Sequence, residues 1–132
     1  MFRYVLSYAA PVIAGAALDF VWLGVVAKPL YQSSLGHLLA TRPNFIAAGL
    51  FYLVFGVGVM VFVLLPHLDG AWGKTLITAA LFGFFTYAVY DFTNLATLRD
   101  WPVAITVIDI CWGIFISLAA TAFGKFVLDR IA

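Results

Sequence analysis

The stretch Pro102–Gly124, PVAITVIDICWGIFISLAATAFG, holds one charged side chain, Asp109, in an otherwise apolar run. A bilayer core about 30 Å thick is crossed by roughly 20 helical residues. A run of this length and composition therefore predicts a membrane-spanning helix. The charge inside it is as informative as the apolar residues around it. An ionisable group at bilayer depth costs about 2.5 kcal/mol or more on insertion scales, and such groups generally line an interior path or site.

Outward from this run, three more stretches meet the same criterion: about Tyr4–Ala27, Phe45–Leu65 and Lys74–Ala96. Turn and breaker residues separate them, at Lys28-Pro29, Arg42-Pro43-Asn44, Pro66-His67-Leu68-Asp69-Gly70 and Arg99-Asp100-Trp101-Pro102. The expected object is all-α, a single integral-membrane domain of four transmembrane helices over the 132 residues. Composition agrees, with 65% hydrophobic and 10% charged residues, against about 25% charged in a soluble domain. Ala14-Gly15-Ala16 has the small-x-small look of a cleavage site, but apolar sequence continues through Ala27, so the first span is expected to be a retained helix.

Several function classes drop out. A net charge of +1 without a basic run makes no case for nucleic acid. The lone Cys111 forms no intrachain disulfide and no multi-Cys metal site. No cofactor loop is recognisable, no metal set is expected, and His37 and His67 stand alone in loops, solvated. The partners expected are the lipid bilayer, a second copy or a larger membrane complex, and a small cationic or lipidic ligand.

Residues 30–40, Leu30 to Ala40, are too few to span. They place Leu30, Tyr31, Leu35, Leu38 and Leu39 on one face, the pattern of a short interfacial helix begun by Pro29. A structured loop is the alternative. Basic residues near the span ends divide four to three: Arg3, Lys74, Lys125 and Arg130 against Lys28, Arg42 and Arg99. With the terminal amine, this margin favours cytoplasmic termini.

The six acidic residues are all Asp, and three of them, Asp19, Asp91 and Asp109, lie inside spans. Counted from Lys28, Arg99 and Asp100, each sits about 12–14 Å from the same membrane face at 1.5 Å per residue. Three acids on three helices thus share one level. Helical spacing turns them inward. Asp109, Gly113, Ser117, Thr121 and Lys125 follow at four-residue intervals, as do Gly83, Tyr87 and Asp91, with Thr86, Tyr90 and Asn94 beside them. Small residues let membrane helices approach closely, and Gly49, Gly56 and Gly58 are read as packing sites of the second span. Two patterns recur: Asp19-Phe20-Val21-Trp22-Leu23-Gly24 is similar to Asp91-Phe92-Thr93-Asn94-Leu95-Ala96, and Asp19-x-x-Trp22 matches Asp109-x-x-Trp112.

These same segments, with Tyr90 to Leu98 the most specific, resemble the signature segments of a bacterial family of small predicted membrane proteins, domain of unknown function 2177. The similarity covers nearly the whole chain. It implies a bacterial, four-span inner-membrane protein, and it implies no activity.

Carboxyl groups that meet in a low-dielectric chamber titrate as a set, with at least one protonated at neutral pH. Such a set exchanges protons for a cation or binds an organic cation, and Trp22, Trp112, Tyr87 and Tyr90 add aromatic faces for cation–π contact. Asp19, Asp91, Asp109, Asn94, Tyr87, Tyr90, Trp22 and Trp112 are therefore the candidate ligand- or proton-binding residues; no catalytic residue is assigned. The leading expectation is a proton-linked transporter or binding protein for a small cationic or amphipathic molecule. An assembly subunit of a larger membrane complex comes second. A membrane enzyme acting on a lipid or isoprenoid comes third, because no Ser-His or Cys-His arrangement is present. Against all three stands a plain structural role, each Asp tethering a neighbouring helix.

Overall fold

Four helices long and apolar enough to cross a membrane appear in the computed structural model, which describes residues 1–131. No strand occurs among these residues. The first span is α1, Phe2–Val21, continued by a π-helical turn over Trp22–Val26. The second is α3, Phe45–Gly58, continued by a π-helical segment Val59–Leu64 and a 3-10 turn Leu65–His67. The third and fourth are α4, Trp72–Thr97, and α5, Val103–Ile131. The fourth span thus outruns its expected end at Gly124.

Between the first two spans lies α2, Lys28–Leu35, with Pro29 in its first turn as expected. It begins and ends earlier than the 30–40 stretch, because Gly36 closes it and Leu38 and Leu39 belong to turns. The start of α3 follows its sequence: the Asn44 side chain accepts from the Ala47 backbone N–H at 3.0 Å and caps the helix.

The helices pack where their side chains are smallest. A Cβ on Gly83 would meet the Gly113 carbonyl and, at 2.7 Å, the Ser117 hydroxyl, while one on Gly113 would run into the Tyr87 ring. The two rows read from the sequence therefore face one another across the α4–α5 seam. Gly56 lies against Val12 and Tyr8 of α1, and Gly124 against Pro11 and Leu64. Gly49 departs from expectation. It faces open space, so it is an exposed position and not a packing site.

The apolar core gathers at the end of the bundle away from α2, around Val59, Val63, Leu64, Ala79, Ala120 and Leu128. There the π-helical continuation of α3 packs on α4. A wide turn rotates the face that follows it, and Val59, Val63 and Leu64 are all but fully enclosed. Before that turn, α3 touches α1 but barely meets α4. Spans two and three are closed at one end and parted at the other.

Candidate functional site

The parting of α3 from α4 leaves a cavity of about 1060 Å³. Its floor is Gly58, Phe62 and Phe82, where the two helices come back together. At the other end stand Asp19 and Asp109, with Tyr31, Tyr52, Tyr87, Tyr90, Asn94 and Trp112. Leu35, Leu38, Leu39, Leu98 and Trp101 complete the lining. No Lys, Arg or His lines the cavity among the described residues.

Each acid has its own environment. Asp19, on α1, is buried, and both its oxygens are occupied. The Tyr52 hydroxyl donates to Oδ2 at 2.8 Å and the Trp112 indole N–H donates to Oδ1 at 2.7 Å. Asp109, on α5, is half-buried and accepts one hydrogen bond, from the Tyr31 hydroxyl to Oδ1 at 3.0 Å. Its other oxygen accepts none from the described residues. Asp91, on α4, is fully enclosed, no donor group reaches either of its oxygens, and the Asp109 carboxyl lies against it. Asp91 does not line the cavity; it lies behind the wall.

Local structure places the donors. After Asp19, the Ala27 N–H reaches back to the Trp22 carbonyl at 2.7 Å, closing the π-helical turn. Pro29 then starts α2, and the chain turns so that Tyr31 reaches Asp109. Burial, and then the Asp109 carboxylate, hold the Tyr31 phenol well above its ordinary range. It therefore remains a proton donor at any physiological pH.

The repeated Asp-x-x-Trp pattern acquires a meaning here. Trp22 and Trp112 stack with ring centroids 4.5 Å apart and planes 6° from parallel. Trp112 donates to the acid of the other pair, Asp19. The Trp22 indole N–H is buried without a partner, so the exchange is one-sided. Trp22 supports Trp112 from behind and meets Tyr31 edge-on at 6.4 Å, outside the cavity lining. Tyr90 meets Trp101 edge-on at 6.1 Å.

Of the eight candidates, six line the cavity: Asp19, Asp109, Tyr87, Tyr90, Asn94 and Trp112. Asp91 and Trp22 lie in the layer behind. Tyr31 and Tyr52, which hold two of the acids, were not among the candidates. A signal for Tyr52 existed, because a buried tyrosine hydroxyl usually finds a partner and the second span offers no ionisable one. Lys28, Arg42 and Arg99 are exposed and form no ion pair with the three acids. His67 is half-buried on the Val63 carbonyl at 2.8 Å instead of solvated.

The arrangement provides two carboxyl groups on the wall of one cavity, aromatic faces around them, and a third carboxyl enclosed behind. Comparison with known sequences agrees that this is a membrane protein. The family described as "Predicted membrane protein (DUF2177)" matches residues 4–126. No curated protein matches, and no solved structure matches.

Proposed function

We propose that this chain, which belongs to the DUF2177 family of predicted membrane proteins, binds a positively charged amphipathic molecule between α3 and α4 and exchanges it for a proton. One observation carries the reading: the Asp19 and Asp109 carboxyl groups on the wall of a large cavity whose other lining is mostly aromatic and aliphatic and free of basic side chains. A metal ion or small inorganic cation would leave most of such a volume unfilled. Cavities of several hundred cubic ångströms, mostly apolar with a few convergent polar groups, suit organic ligands.

The proton enters through Asp91. A carboxylate with no donor to either oxygen and a second carboxyl against it is not sustained away from water, so the group carries a proton instead. A cation arriving at Asp109 changes the charge beside Asp91 and favours release of that proton. In this reading the protein sits in the inner membrane of a bacterium with cytoplasmic termini, as the four-to-three division of basic residues favours.

Titration of dodecyltrimethylammonium against the protein in nanodiscs tests the proposal, with fluorescence of the Trp22–Trp112 pair as the readout. Saturable binding that weakens toward acid pH is expected, and more than about tenfold loss in Asp109→Asn with an unchanged melting point. Binding that is indifferent to both pH and Asp109 would overturn it.

A further inference from the structure

Resting on that reading, we infer that the ligand is a long-chain amine free of phosphate, and that it enters sideways from the lipid through the gap between α3 and α4. The route follows from where the walls stop. Before Gly58, α3 and α4 barely meet, so the wall is interrupted between them. The acid end is bounded by Leu38, Leu39, Leu98 and Trp101, none of which carries a charge that would draw a headgroup in from that side. Between α3 and α4 the cavity is bounded by residues that are themselves largely exposed: Phe51, Val54 and Phe62 at 43%, 69% and 65% on one side and Tyr90 at 55% on the other. These are side chains suited to acyl chains, so this opening faces lipid.

The ligand class follows from charge and length. The lining offers two carboxyl groups and no cation, so a phosphate headgroup meets only like charge. An ammonium group meets the Asp109 carboxyl and the rings of Trp112, Tyr87 and Tyr90. From Tyr52, beside Asp19, to Phe62 on the floor is ten residues along the second span, or about 15 Å of apolar wall. That length accommodates an extended alkyl chain with its amine at the acids.

The test uses a long-chain alkylamine with a diazirine at its tail end, irradiated with the full-length protein in phosphatidylcholine nanodiscs, with adducts mapped by mass spectrometry. Adducts are expected on Phe51, Val54, Phe62 and Phe82. Excess dodecylamine should remove them, whereas tetramethylammonium and phosphatidylglycerol should not. Val54→Trp, at an exposed position in the mouth, should cut labelling by more than tenfold, and Ala48→Trp provides a second obstruction should the first variant misfold. Adducts spread over the outer faces of α1 and α5, at Phe20, Phe115 and Phe123, and insensitive to competitor would overturn the inference. So would competition by phosphatidylglycerol. If dodecyltrimethylammonium still binds in an Asp109-dependent way while both obstructing variants bind it as the parent does, the lateral route fails and the binding site stands. If no cationic amphiphile binds at all, the site fails with it.

Discussion

The two flanks of α4 present opposite solutions to packing in a membrane. On the α5 side, glycine and serine bring backbones together until no Cβ fits at Gly83 or Gly113. On the α3 side, Phe51, Val54, Phe62, Phe82 and Tyr87 stand in or along a gap that stays open until the π-helical turn after Gly58. Lipid tails are as apolar as the side chains they would replace, so bulky apolar residues alone do not drive membrane helices together; small and polar ones do. The open flank therefore needs no special strain to exist. It is where bulky side chains predominate.

Breaking the closed flank should have the largest effect. Gly83→Leu forces a side chain into the Gly113 carbonyl and the Ser117 hydroxyl. Overpacking costs about 1–3 kcal/mol or more, and here the obstacle is backbone. Loss of monodisperse protein in detergent, or a fall of about 10 °C in melting temperature, is expected on size-exclusion and thermal unfolding. Normal behaviour would mean that the seam is looser than described.

The acids sharpen the same contrast. Asp91→Asn keeps the shape of the enclosed group while removing its proton exchange. Proton counterflow during alkylamine uptake into proteoliposomes should vanish while the protein stays folded and monodisperse, since no donor to either carboxyl oxygen is lost. Retained counterflow would remove Asp91 from the mechanism.

Tyr52→Phe removes one of two donors to Asp19 and should cost about 1.5–3 kcal/mol if that carboxyl is charged, about 1 if it is neutral. Calorimetry of the variant thus reports the charge state of Asp19.

Ser117→Ala probes the interior of the seam. Its hydroxyl is enclosed without a partner, so its removal should be neutral or stabilising by about 1 kcal/mol. The smallest effect belongs to the open flank: Gly49→Ala adds a Cβ into empty space and should raise stability by at most about 0.5–1 kcal/mol through helix propensity. A marked loss of stability in either variant would show contacts where none are described.

Much of the closed flank was legible in the sequence. Gly83-Tyr87-Asp91 and Asp109-Gly113-Ser117 are spaced by one helical turn plus a fraction, and that spacing fixes which side chains share a face. The open flank was not legible. It depends on where α3 stops following α-helical geometry, and nothing in Val59–Leu64 announces a π-helical register. The donors to the acids were hidden for another reason: Tyr52 is 33 residues from Asp19 and Tyr31 is 78 from Asp109, so only tertiary packing pairs them. Gly49 was misread because a glycine in an apolar span looks the same whether it faces a helix or faces outward.

Isotope-edited infrared difference spectroscopy reads the proton directly. With aspartate labelled, a protonated-carboxyl band should disappear when dodecylamine is added, and neither the band nor its loss should be seen in Asp91→Asn. An unchanged carboxyl spectrum on ligand addition, or an identical difference spectrum in Asp91→Asn, would contradict proton release from Asp91.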